Sequence, residues 1–243
     1  MSNFFSQLAE NAVFALEFAG VVLAMFVIAY VVEKISKKKN GDNERILSTR
    51  NVAVIGVFAA ISTILMFFEF GVFFLPPSMY KFDFSELPAL IGGFAFGPVV
   101  GVMIEFIKVL LKTLIKGTHT AFVGELANFA VGCSFILPAT IIYKLKKNRK
   151  NAIIACVVGT AIITIFGSLF NAVYLIPTFA DMFGMPVDAI VGMGHEVNKN
   201  INDLTTFILW GVAPLNLIKG GIDSIITLAV YKKLSPIIKS SNK

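Results

Sequence analysis

Charged residues are scarce in this chain. Only 15% of its 243 residues are Asp, Glu, Lys or Arg, whereas an ordinary soluble domain carries about a quarter. Hydrophobic residues make up 56% of the sequence. The longest polar stretch is short and covers roughly residues 34–50. The composition therefore excludes a large aqueous domain.

Cysteine and histidine are also scarce, with two of each. Cys133 and Cys156 both lie in apolar runs, which favours buried free thiols, although a disulfide remains open at this stage. The sequence has no H-E-x-x-H motif, no Cys/His cluster and no arguable Ser/His/Asp arrangement, so we predict neither a metal site nor an enzyme. It also lacks a G-x-x-x-x-G-K-[ST] phosphate loop, so the chain cannot drive transport with ATP by itself.

Long apolar runs dominate what is present, and several approach the ~20 residues that cross a bilayer. The sequence therefore predicts an all-α polytopic membrane protein. The predicted spans cover residues 12–32, 51–68, 99–115, 120–143, 152–176 and 214–231, with a shorter apolar piece over residues 85–96. The first run has no basic segment before it and no small-residue cleavage site, which favours a retained helix over a signal peptide.

Proline and serine mark several predicted boundaries. We expect one span to stop before Pro177 and the last span to begin at Pro214, after an apolar lead-in over residues 205–213, because proline disrupts a helix interior. Residues 178–203 between them are predicted to form a polar outer loop. Ser85 is the predicted N-cap of the short apolar piece.

The net charge of +6 is concentrated in short segments between spans. Basic residues cluster over residues 34–50, 144–150 and 232–243, and such clusters mark the cytoplasmic side. All three reach the cytoplasm if seven spans alternate, with the N-terminus outside and the C-terminus inside. This distribution indicates a multi-pass plasma-membrane protein and argues against nucleic-acid binding.

Polar side chains interrupt the outer halves of four predicted spans. They are Lys108, Glu125, Asn128, Asn171, Asn216 and Lys219. A buried ammonium group costs at least about 2.5–3.5 kcal/mol on insertion scales, so such residues need a partner, a cavity or a ligand. Amides offer donors and an acceptor in one plane, which suits a neutral heterocycle. The layer predicts a binding pocket that opens to the outside rather than a through-channel.

Structural roles are the alternative for each of these residues. Lys219 and Asp223 are four residues apart on one helix face and could neutralise each other, as Glu105 could neutralise Lys108. The buried amides could simply join helices. Lys112 lies near the interface, where its ammonium group can reach water.

Two further patterns indicate candidate contact surfaces, one for a ligand and one for another helix. Residues 76–84 form an aromatic, amphipathic loop that is either an interfacial belt or a lid over the pocket, with Tyr80, Lys81, Phe82 and Asp83 as its candidate ligand contacts. In the second span, Gly56, Ala59 and Ala60 supply small residues that allow another helix to approach closely.

Several segments resemble the riboflavin-specific substrate-binding (S) components of energy-coupling factor (ECF) transporters. They are the Tyr80–Pro98 stretch (YKFDFSELPALIGGFAFGP), Ile107-Lys-x-Leu-Leu111, Ala127-Asn-Phe129, Asn171 before Leu175-Ile-Pro177, and the block APLNLIKG over residues 213–220. The resemblance covers about residues 51–234.

This resemblance implies a six-helix S-component core, here over residues 50–243. The sequence before it, over residues 1–49, is predicted to add one extra transmembrane helix and a basic linker. The resemblance implies riboflavin as the bound substrate, with no cofactor, and contacts from Asn171, Asn216, Lys219 and the lid over residues 80–83. It also implies two kinds of partner, a transmembrane coupling protein and two cytoplasmic ATPases, with Gly56, Ala59 and Ala60 at the docking face. The extra helix and the long segment over residues 178–203 depart from the family pattern. Two alternative hypotheses remain open. The chain could be an S component for another small vitamin or precursor, or it could be a stand-alone secondary transporter.

Overall fold

The described part of the chain is a bundle of helices. The computed structural model describes residues 12–40, 45–76 and 80–240, except the side chains of residues 39–40 and 231–240. The tip of the predicted lid, residues 77–79, therefore lies outside the described residues. The helices are α1 (Ala12–Asn40), α2 (Thr49–Phe67), α3 (Glu86–Phe96), α4 (Pro98–Lys116), α5 (Val123–Leu145), α6 (Arg149–Phe170), α7 (Ile176–Phe183), α8 (Val187–Val197), α9 (Leu204–Phe207) and α10 (Ala213–Ser240).

Two strands and two π-helical turns complete the architecture. Strands β1 (Phe70–Gly71) and β2 (Lys81–Phe82) pair antiparallel and tie down the loop between α2 and α3. Two π-helical turns, π1 (Asn171–Leu175) and π2 (Ile208–Val212), join α6 to α7 and α9 to α10. The predicted all-α class is confirmed.

Within the described ranges, five helical stretches are long and apolar enough to cross a bilayer, over residues 12–38, 49–67, 123–145, 149–183 and 204–230. α4 has the same length as α2, at 19 residues, but carries an acid and three lysines. α3 has only 11 residues, and most of them are buried by neighbouring helices. A short helix of this kind is tolerated at membrane depth because protein covers its ends.

The two expectations about proline were wrong. The helix does not stop before Pro177 but continues through π1 to Phe183, and the last span begins at Leu204 rather than at Pro214. Proline lacks an N–H group and crowds the carbonyl four residues earlier, and a wider turn directly before it relieves both problems. The Asp203 side chain caps the last span instead, accepting a hydrogen bond of 2.7 Å from the Thr206 N–H group.

The predicted polar loop over residues 178–203 was also wrong, because most of it is helical. α7 and α8 occupy this segment and bury Phe179, Ile190 and Val191 in an apolar cluster. Tyr80 and Phe82 of the hairpin loop belong to the same cluster. The segment therefore forms a packed cap at one end of the bundle, which the polar residues of its exposed face concealed in the sequence.

The remaining core lies between the bundle helices. Ile104 of α4, Phe135 of α5 and Ile163 of α6 are among its buried members. Cys133 and Cys156 are buried free thiols, which settles the question of a disulfide. Ser85 precedes α3 as predicted, but its side chain does not cap the helix and instead accepts a hydrogen bond from the Lys108 ammonium group.

Candidate ligand-binding site

A cavity of about 220 Å³ lies at the end of the bundle opposite the basic residues 144–150, which join α5 to α6. It is surrounded by the loop between α2 and α3, the last turns of α4, the first turns of α5, π1, π2 and the start of α10. Six residues that the sequence proposed as ligand contacts lie in its wall. They are Tyr80, Lys81, Asp83, Asn128, Asn171 and Asn216.

The two π turns position two of the amides. Asn171 is the first residue of π1, and its Nδ2 donates a hydrogen bond of 2.7 Å to the Gly167 carbonyl. Asn216 lies in the first turn of α10, and its Nδ2 donates a hydrogen bond of 3.0 Å to the Val212 carbonyl of π2. Both amide planes are therefore fixed by their own helices, which leaves the amide oxygens for other partners.

Asn128 behaves differently from the other two amides. Its Oδ1 is buried and has no hydrogen-bond partner among the described residues, although it belongs to the cavity wall. A buried amide oxygen without a partner costs about 1–3 kcal/mol, so it is retained only where something compensates. Asn128 is therefore the amide most directly available to a ligand.

Tyr80 closes one side of the cavity. Its hydroxyl group donates a hydrogen bond of 2.8 Å to Asn171 Oδ1, and its ring lies 5.8 Å from the ring of Phe207. Phe82 does not line the cavity but packs against Phe70 and Phe84 at ring distances of 5.3 and 5.1 Å. Phe82 thus supports the loop, while Tyr80 reaches the site.

An acidic residue that we did not predict lies in the cavity wall. Glu69 contacts Lys81 at 2.9 Å, Lys112 at 3.2 Å and Lys116 at 3.8 Å. Partial burial alone would raise the pKa of Glu69, but hydrogen bonds and charge from Lys81 and Lys112 lower it below its usual value. Lys112, for which the sequence favoured a structural role, lines the cavity through this contact.

A buried ion cluster lies beside the cavity. Lys108 contacts Glu105, as the spacing suggested, and also lies 3.2 Å from Glu86 Oε1. Lys219 Nζ lies 3.4 Å from Asp83 Oδ1 and 2.8 Å from Glu86 Oε2, the second being an ion pair whose angles fall outside those of a hydrogen bond. Asp83 connects this cluster to the cavity wall, because it belongs to both.

The loop carboxylate of this cluster stays ionised. Burial alone would raise the pKa of Asp83, but the positive charges of Lys219 and Lys108 and the hydrogen bond from the Ser85 N–H group lower it to about 2. The cavity wall therefore keeps the negative charge of Asp83, which the positive charges of Lys219 and Lys108 offset.

The suggested Lys219–Asp223 pair is contradicted by the structure. Asp223 is fully buried, and neither of its carboxylate oxygens has a hydrogen-bond partner among the described residues. Lys219 instead contacts Asp83 in the loop between α2 and α3 and Glu86 of α3, because α10 packs against α3.

This arrangement predicts the effect of Asp223→Asn. The substitution removes a buried carboxylate that has no partner and leaves both acidic contacts of Lys219 in place, so we expect an unchanged or higher unfolding temperature. Thermal unfolding of the purified protein in detergent measures this. A clear loss of stability would mean that Asp223 is the counter-ion of Lys219 after all.

The remaining proposed contacts lie outside the cavity wall. Glu125 accepts hydrogen bonds from the hydroxyl groups of Thr118 and Thr120, at 2.9 and 3.1 Å, and organises the turn before α5. Lys108 is fully buried in the ion cluster, and Lys219 reaches the cavity wall only through Asp83.

The small residues of α2 divide between two faces. Gly56 and Ala60 lie on its exposed face, whereas Ala59 is fully buried in the core. A methyl group added to Gly56 would meet no atom within 4 Å, so this glycine serves no packing contact inside the described chain.

Comparison with known proteins identifies relatives over the same part of the chain. The family model for the ECF transporter substrate-specific component matches residues 50–231. The riboflavin transporter RibU of Staphylococcus aureus (strain TCH60) is 34% identical over 190 residues, which cover 78% of this chain and 93% of that protein. The riboflavin transporter FmnP of Bacillus subtilis (strain 168) is 29% identical over 194 residues, or 79% and 96% of the two chains.

A solved structure shows the same fold. The S component of a bacterial ECF transporter superposes with a TM-score of 0.60 at 32% identity, covering 79% of this chain and 98% of that chain. The family match spans α2 to α10 and leaves α1 outside. The chain belongs to the substrate-specific components of ECF transporters, which are transport proteins and not enzymes.

Proposed function

We propose that this chain is the riboflavin-binding subunit of an ECF importer. The observation that carries the proposal is the convergence of Asn128, Asn171 and Asn216 on one cavity, with Asn128 Oδ1 unpartnered. The names of the relatives, riboflavin transporters of two bacteria, support this choice of ligand over another small vitamin.

The chemistry of the cavity suits a flat heterocycle with polar edges. The ring system of riboflavin carries carbonyl oxygens and ring nitrogens in one plane, and planar amides pair with such an edge. The cavity of about 220 Å³ is smaller than the usual ~300–1,000 Å³ of small-molecule sites. We propose that a three-ring ligand enters when Tyr80 leaves Asn171, which also frees Asn171 Oδ1 for the vitamin.

We propose that the cavity faces the outside of the cell. It lies at the bundle end opposite the basic residues 34–38 and 144–150, and such residues mark the cytoplasmic side. With seven passes, the N-terminus lies outside and the C-terminus in the cytoplasm.

We further propose that residues 50–243 form the six-helix core and that a transmembrane coupling protein with two cytoplasmic ATPases completes the importer. The exposed face of α2 at Gly56 and Ala60 supports this, because small residues let a partner helix approach closely. Ala59 is buried and supports the core side of the same helix instead.

Flavin binding by the purified protein tests the ligand. We expect riboflavin fluorescence to be quenched on titration, and protein purified from a riboflavin-producing host to be yellow. A colourless preparation that leaves riboflavin fluorescence unchanged would exclude riboflavin, and mass spectrometry of the bound molecule would then identify another vitamin.

Transport in proteoliposomes tests the mechanism separately. We expect the chain alone to bind riboflavin without accumulating it, because the sequence has no phosphate loop to use ATP. Concentrative uptake by the chain alone would instead establish the rival function, a stand-alone secondary transporter.

A further inference from the structure

The extra helix α1 lies outside the residues that the family model matches, so membership of the family does not account for its role. It packs along α4 and α5, where Ala29 is fully buried. Phe18 and Phe26 meet Phe129 and Phe106 edge to face, at ring distances of 5.9 and 5.8 Å. α1 therefore packs specifically on the core, in addition to being covalently connected to it.

A buried carboxylate fixes the cytoplasmic end of α1. Glu33 is 1% exposed, and its Oε1 accepts a hydrogen bond of 2.8 Å from the Lys144 ammonium group of α5. Its Oε2 accepts one of 3.0 Å from the Val99 N–H group, in the first turn of α4, where backbone donors lack helical partners. Gly97 permits this approach, because its φ is +118° and a Cβ there would lie 2.5 Å from Glu33 Oε1.

A second carboxylate fixes the outer end. Glu17 Oε2 accepts a hydrogen bond from the Tyr174 hydroxyl group. Tyr174 belongs to π1, the turn whose first and last residues, Asn171 and Leu175, line the cavity. The Tyr174 ring also lies 5.1 Å from that of Phe170, directly before π1.

We propose that α1 is a brace that holds the ligand-bearing turn π1 in place, with Glu17 as a positioning residue acting through Tyr174. Glu33 fixes one end of α1 to α4 and α5. At the other end, Glu17 holds Tyr174, and thereby the backbone of π1 that orients Asn171. The inference rests on the proposed function for its ligand readout. A helix that served only as a membrane anchor would not need a specific contact to this turn.

The test compares Glu17→Leu and Tyr174→Phe with Glu17→Gln in the full chain. The first two remove the hydrogen bond, whereas the amide oxygen of glutamine can still accept it. We expect riboflavin to bind about three- to tenfold more weakly in the first two variants, the usual effect of one hydrogen bond, and nearly normally in Glu17→Gln. The double variant should bind no more weakly than either single variant, because both break the same contact. Leu16→Ala, which alters a lipid-facing neighbour 72% exposed, is the matched control and should bind normally.

Amide hydrogen exchange over residues 171–175 in the empty protein gives a second readout that needs no ligand. We expect faster exchange there in Glu17→Leu and Tyr174→Phe, with native exchange in α5. If riboflavin fails to bind the native protein while this exchange still rises, the proposed ligand is wrong and the brace stands. Native exchange and native affinity in both variants would overturn the brace.

Discussion

Replacing Lys108 by methionine should destabilise the protein by about 3–5 kcal/mol, the largest effect we expect from a single substitution. Lys108 is fully buried and contacts Glu105 and Glu86, both nearly inaccessible. Removing its charge leaves Glu105 without its only cationic contact in the described chain. A buried carboxylate that loses its counter-ion costs far more than the original pair contributed. Thermal and denaturant unfolding of the empty protein in detergent measures the loss.

Two further variants isolate the cause. Lys112→Met removes a lysine from the same helix face, but its partner Glu69 keeps Lys81, so the effect should be below about 1 kcal/mol. Lys108→Met combined with Glu105→Gln removes both charges of the pair and should recover much of the stability. Equal stabilities for Lys108→Met and Lys112→Met would show that the cluster does not hold the bundle together.

Asn128→Leu should weaken riboflavin binding about tenfold to one hundredfold while leaving the empty protein at least as stable as before. The Asn128 amide oxygen has no partner among the described residues, so no internal hydrogen bond is lost when leucine replaces it. A ligand that hydrogen-bonds this amide loses that bond and must leave its own polar group unpaired, at about 1–3 kcal/mol. Fluorescence titration and thermal unfolding on the same preparation measure both quantities.

The matched control is Asn200→Leu, which alters an exposed amide that does not line the cavity. It should bind riboflavin normally. If Asn128→Leu binds normally and also loses stability, the amide joins helices and does not contact the vitamin. That outcome would leave Asn171 and Asn216 as the polar wall of the site.

The helices themselves were largely predictable from the sequence. Apolar runs and glycine and proline signals gave α2, α3 and α4 to within two residues, because a bilayer-spanning helix must satisfy its backbone internally and present apolar side chains. The same rule failed at Pro177 and Pro214. π1 and π2 carry the chain past both prolines, and a π turn has no residue signature that distinguishes it from a helix end.

That failure also changed the apparent position of Lys219. Counted from Pro214, it lay about 7–8 Å from the helix start, but α9 begins at Leu204 and places it about 22 Å along the helix. Its partners changed accordingly, from Asp223 on its own helix to Asp83 and Glu86 on two other elements. Side-chain partners across helices depend on how the helices pack, which spacing within one helix does not reveal.

The sequence by itself determined the membrane class and the residue types of the candidate site, because hydropathy, charge and amide content are properties of composition and order. It also pointed to Asn128, Asn171 and Asn216, since polar groups in apolar helices need compensation, and to Tyr80 through the aromatic loop over residues 76–84. Only the tertiary structure decided that Asn128 is the unpartnered amide, that Lys108 and Lys219 share Glu86, and that α1 reaches the turn behind the cavity. Each of these depends on contacts between residues far apart in the chain, which are fixed only when the helices pack together.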